Sequence, residues 1–136
     1  MKTVGLTGEI SAVRDGRGDP ARLVGEFRRA VLLVPVEDGP DGGLMSAVRG
    51  GIRWFYAFTD EEALARFAAA RGASGREWEY LAVLGARLVD AVVPQVGAPA
   101  GVAVNVADED GSMFFPPVKG IVPDACAVDI DAGEVA

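Results

Sequence analysis

Leu23, Val24, Phe27 and Ala30 recur at intervals of three and four, the spacing of one face of an α-helix, while Arg22, Glu26 and Arg29 fall on the other face. Asp19-Pro20 precedes them with a side-chain acceptor and then a proline at the first helical position, so a helix is predicted over Asp19–Arg29. A shorter helix is predicted around Glu9 to Val13. The period then changes. Val31-Leu32-Leu33-Val34-Pro35-Val36 is a near-continuous apolar run too short for a helix, and its proline implies a strand with one unpaired or bulged side. Turn residues fill Glu37 to Gly43. Beyond them, Leu44–Arg49 and Ile52–Phe58 flank Gly50-Gly51, a two-residue hairpin signal that predicts three antiparallel strands in succession.

A second helix is predicted over Thr59–Arg71. Thr59-x-x-Glu62 reads as a capping box, Ala63, Leu64, Phe67 and Ala68 form the buried face, Glu62 and Arg66 pair at i,i+4, and Gly72 stops the helix. A polar connection, Ala73–Glu77, leads to a strand at Tyr80–Leu84 that Gly85 ends. A short helix follows from Ala86 to Val93, with Arg87 and Asp90 on its wet side and Pro94 as its limit. In Gly101–Val106 the valines share one face and small residues the other, as in a strand covered on both sides. Asp108 to Ser112 turns the chain, Met113-Phe114-Phe115 pairs briefly, and the segment after Val122 is expected to fray. The fold class is therefore α+β: a mixed sheet with an antiparallel meander first and two main helices packed on one face. The whole chain, 1–136, reads as one domain with its core over 19–122 and a loosely ordered tail at 123–136.

Composition narrows the function classes. A chain of 136 residues buries about two-thirds of its surface around one core, so it needs no staples to fold. The net charge of −7 repels phosphate backbones and anionic lipid, which argues against nucleic-acid and membrane partners. No apolar run is long enough for a leader or a membrane span, and a single cysteine, Cys126, excludes an intramolecular disulfide; a cytoplasmic setting is expected. The absence of histidine removes the usual Ser/His and Cys/His nucleophile systems and most transition-metal sites. No catalytic residue, metal or cofactor is expected, and enzymatic chemistry would require Asp90, Glu79 or Lys119 to converge in a pocket.

The candidate functional residues are aromatic or lie near a turn. Strand alternation sends Trp54, Tyr56 and Phe58 to one face and Phe55 to the other. Trp54 and Tyr56, with Trp78 in a polar loop, are the expected protein-binding residues. Asn105, Asp108 and Asp110 are the expected lining of any small-molecule site. Asp108-Glu109-Asp110-Gly111 lacks a calcium loop's ligand spacing, and Pro117 stands where the bidentate glutamate belongs. In Arg17-Gly18-Asp19 the aspartate is a helix cap, Glu61-Glu62 is a helix start, and Cys126 sits among carboxylates that disfavour a thiolate. The expected function is a non-catalytic interaction or regulatory module whose partner is a protein, self-association included; the alternative is a domain that binds a small, amino-acid-like molecule.

Several strings, in order and at their spacing, resemble the N-terminal domain of the SseB family. They are Leu33-Val34-Pro35-Val36, Tyr56-Ala57-Phe58-Thr59-Asp60-Glu61-Glu62-Ala63-Leu64, Gly101-Val102-Ala103-Val104-Asn105 and Phe115-Pro116-Pro117, covering about Pro20 to Val118. The family's asparagine is usually followed by proline, and Val106 stands there instead. The resemblance implies a bacterial protein linked by its family name to serine sensitivity, with no established catalytic residues. Longer members of the family carry a second domain.

Overall fold

The computed structural model describes residues 5–37, 43–72, 75 and 78–129. The predicted turn at 38–42, most of the 73–77 connection and the final 130–136 lie outside the described residues. Helix α1 (Gly5–Arg14) precedes α2 (Pro20–Arg29), where the Asp19 carboxylate accepts the Ala21 N–H at 2.9 Å as the sequence predicts. Strands β1 (Val31–Pro35), β2 (Ser46–Arg49) and β3 (Ile52–Ala57) follow. Gly50 and Gly51 adopt φ of +63° and +80°, which the tight β2–β3 hairpin requires. Then come α3 (Glu61–Ala70), β4 (Tyr80–Leu84), a helical segment α4 that begins as Gly85–Arg87 and continues to Val96, β5 (Ala100–Val104) and β6 (Met113–Phe115).

The α+β class and the mixed sheet stand as expected. One sheet has the order β2-β3-β5-β6, with β3 and β5 parallel and the outer pairs antiparallel; β1 and β4 form an antiparallel ribbon beside it. β1 joins the hairpin only through bridges, Leu33 to Phe58 and Val36 to Leu44, and its long partner is β4. The missing N–H of Pro35 falls on the hairpin side, where β1 accepts the Met45 N–H through the Pro35 carbonyl at 2.8 Å.

The expectation of both main helices on one face is corrected by strand alternation. Phe55 and Ala57 of β3, Val102 and Val104 of β5 and Phe115 of β6 share a face with Leu23 and Phe27 of α2, and with Leu6 and Ile10 of α1. Phe67 of α3 instead meets Tyr56 and Phe58, on the opposite face. The sheet thus separates a larger cluster from a smaller one. The larger begins before Asp19, because Ile10 is fully buried.

Two further expectations change. The helix from Gly85 does not stop at Pro94: Gly85–Arg87 runs into a π-helical turn, Leu88–Val92, and then Val93–Val96. The Val93 N–H reaches back to Leu88 O, and this wider turn absorbs the donor that Pro94 lacks. The expected fraying after Val122 does not hold for the described part of the tail. Val128 N–H donates to Pro117 O at 2.8 Å, Lys119 N–H donates to the Asp129 carboxylate at 2.8 Å, and Cys126 and Ala127 pack on the larger cluster. Among the described residues no helix is long and apolar enough to cross a membrane.

Candidate functional site

An open apolar groove of about 790 Å³ lies on the α3 face of the main sheet. Its origin is a size pattern across the ladder. Trp54 sits opposite Gly101, Tyr56 opposite Ala103, and Ala103 opposite Phe114, so large rings on β3 and β6 flank a central strand with almost no side chain on that face. A Cβ at position 101 would come within 2.9 Å of Trp54 Cζ3, so glycine lets the indole lie close to β5. Helix α3 is too short to cover the whole face. Phe67 packs on Tyr56 at 5.0 Å between ring centroids, while Trp54 and Phe114 meet at 5.2 Å at the uncovered end. Phe114 is 57% exposed. Arg49 lines the same groove and pairs with no carboxylate among the described residues.

Trp54 and Tyr56, both expected as binding residues, line this groove and are half-buried. Trp78 does not line it. Its ring meets Phe67 edge-on at 5.9 Å within the smaller cluster, so it is half-buried rather than a free anchor. Phe67, Phe114, Arg49 and the small residues Gly101 and Ala103 were not singled out from sequence. Their signal is the match of small against aromatic positions, which becomes readable only once β3 is known to lie beside β5.

The other set of candidates does not converge. Asn105 is 3% exposed, at φ +51°, and its amide is engaged within the chain: Oδ1 accepts the Thr59 N–H and Nδ2 donates to Thr59 Oγ1, both at 3.0 Å. The left-handed backbone at Asn105 is thus held with valine, not proline, at position 106. Thr59 is consequently not the cap of α3. Asp60 caps instead, its carboxylate accepting the Ala63 N–H at 2.8 Å. Asp108 binds Arg66 through two hydrogen bonds of 2.6 and 2.9 Å, which hold the guanidinium pKa above its ordinary value. Arg14 donates to Ser112 O at 3.0 Å and Glu109 O at 2.8 Å, so two arginines fasten this turn. Asp110 remains exposed.

Asn105→Ala should destabilise the fold by about 2–4 kcal/mol, because the partly buried Thr59 N–H loses its acceptor and alanine resists a left-handed backbone. Asn105→Gly, which accepts that backbone, should cost less in urea unfolding. Equal losses would assign the whole effect to the hydrogen bonds.

The residues considered for acid–base chemistry are also dispersed. Asp90 pairs with Arg28 at 2.6 Å, and that hydrogen bond draws its pKa below the ordinary value. Glu79 is exposed before β4, and Lys119 lies in the turn that Asp129 fastens. None of the three lines the groove. Among the described residues, no three Asp, Glu or Cys side chains cluster closely enough to hold a metal ion. Compared with protein-family profiles, curated proteins and solved structures, the chain matches none.

Proposed function

We propose that this chain is a non-catalytic protein-interaction module that receives a partner's apolar side chains in the groove between Trp54, Tyr56 and Phe114. The observation that carries this reading is the open apolar groove itself, floored by Ala103 and rimmed by the half-buried rings of Trp54 and Tyr56 and the exposed ring of Phe114. Exposed aromatic surface of this kind gains stability when a second surface excludes water from it. The charge at its edge favours one partner chemistry. Among the described residues Arg49 pairs with no carboxylate, so the fitting partner is an apolar segment flanked by a carboxylate. Membership of the SseB family, with the bacterial cytoplasmic setting that it implies, is part of the same proposal and rests on the sequence strings alone. An amino-acid-like ligand at Asn105, Asp108 and Asp110 has less support, since Thr59 and Arg66 already satisfy the first two.

The test uses peptides of aliphatic and aromatic residues bearing either acidic or basic flanks. Acidic-flanked peptides should perturb the NMR signals of Trp54, Tyr56 and Phe114, and Trp54→Ala should weaken their binding by about 2 kcal/mol, the size of an interface hot spot. Arg49→Glu should reverse the charge preference. If neither peptide class perturbs the groove, while free amino acids shift the signals of the 105–112 turn, the small-molecule reading replaces this one.

A further inference from the structure

The outer edge of β4 carries a different kind of surface. Its sequence, Tyr80-Leu81-Ala82-Val83-Leu84, contains no charge and no proline, the residues that ordinarily protect a free strand edge. Leu81 is 53% exposed and Leu84 46%, as is the neighbouring Val31 at 58%. The β2 edge, by contrast, ends in Arg49, and β6 is only three residues long.

The hydrogen-bond phase shows which main-chain groups face outward. Val36 N–H donates to Glu79 O at 2.9 Å and Gly85 N–H to Ala30 O at 3.0 Å, so the odd-numbered residues 79–85 direct their polar groups toward β1. Tyr80, Ala82 and Leu84 therefore direct theirs to the open edge. These positions are symmetric about Ala82. An antiparallel copy of the same strand, placed on a two-fold axis at Ala82, sets Tyr80 against Leu84 of the second copy and Ala82 against itself. Every outward N–H then meets a carbonyl. The smallest side chain lies at the axis, and Leu81 meets Val83 of the second copy on the other face. Within Tyr80–Leu84 the strand brings no charged side chain of its own to the contact; the Tyr80 hydroxyl donates to the Glu61 carboxylate, and Glu79 flanks the strand at its end.

We propose that two copies of this chain associate through β4, edge to edge and antiparallel across a two-fold axis at Ala82, joining their β1–β4 ribbons into one four-stranded sheet. An unrelated strand could also pair here; a second copy fits because the exposed, uncharged and proline-free positions of Tyr80–Leu84 then meet their own apolar counterparts across the axis. The contact is small by the standard of stable interfaces, which bury about 1,200 Å² or more in total, so the dimer is a concentration-dependent one.

Sedimentation velocity between about 5 and 500 μM should show reversible dimerisation, the range expected for an interface below standard size. Amide exchange at Tyr80, Ala82 and Leu84 should slow as concentration rises, while other exposed amides stay unchanged. Ala82→Pro removes an N–H that β1 does not use, so it should leave the melting temperature close to that of the parent and weaken dimerisation at least about tenfold. Should that variant fail to fold, Leu84→Lys read by the same amide exchange serves in its place. Trp54→Ala, which alters the groove and not this edge, should dimerise as the parent does. A chain that stays monomeric with concentration-independent exchange, a dimer untouched by the β4 variants, or one that Trp54→Ala dissociates overturns the proposal.

Discussion

Replacing Gly85 with alanine is expected to cost about 3 kcal/mol or more, a large share of the roughly 5–15 kcal/mol that holds a domain of this size together. Gly85 is buried where β4 turns into α4, and a Cβ there would lie 2.0 Å from Phe27 O and 2.8 Å from Phe27 C. Those are main-chain atoms of the last turn of α2, which cannot swing aside as a flexible side chain would. Relief requires α2 and α4 to separate, and that opens the larger cluster and strains the bond from Gly85 N–H to Ala30 O. Gly25→Ala supplies the control. Its Cβ would meet only the Arg29 guanidinium, at 3.5 Å, and glycine inside a helix is less favourable than alanine, so this change should add about 0.5–1 kcal/mol. Urea midpoints that move in opposite directions for the two variants meet the expectation; a Gly85→Ala midpoint equal to the parent's contradicts the close approach of the two helices.

Phe27→Ala is expected to cost about 3–5 kcal/mol, as buried phenylalanine truncations do. Phe27 is fully buried and stacks on Phe115, with centroids 4.2 Å apart and an angle of 18° between the rings. This pair couples α2 to the outermost strand of the main sheet, so truncation leaves a cavity between layers rather than at their rim. Phe27→Leu keeps most of the volume and should lose about half as much or less. A loss under about 1 kcal/mol in chemical unfolding for the alanine variant would show that the layer closes over the cavity, which dense packing resists.

Local chemistry was legible wherever one short stretch contained all the interacting groups. The Asp19-Pro20 start, the Gly50-Gly51 hairpin, the alternation from Trp54 to Phe58 and the doubly covered β5 all follow from spacing within a few residues. The second helix start shows where this stops. Thr59 and Asp60 are adjacent, and each can cap; the choice falls to Asp60 because Asn105, 46 residues along, takes both polar groups of Thr59. Pro94 shows the same limit. The proline alone implies a stop, but a π-helical turn accommodates it while Leu88, Val89 and Val93 remain in the larger cluster.

The candidate site divides in the same way. Which face Trp54 and Tyr56 occupy was set by the two-residue period of a strand, and their aromatic character marked them for binding. That they border a groove was decided by the parallel pairing of β3 with β5, which brings Gly101 and Ala103 between the rings. The division of α2 and α3 between opposite faces was a tertiary outcome too, since a helix's apolar stripe demands burial but names no surface to bury against. Sequence by itself determined where most elements lie, the Asp19 cap, the Gly50-Gly51 turn, the α+β class and the sidedness of β3, because those depend on contacts a few bonds away. Tertiary structure alone decided the neighbours: strand order, the two clusters, the engagement of Asn105 and Asp108, and the groove, because each depends on groups brought together from distant parts of the chain.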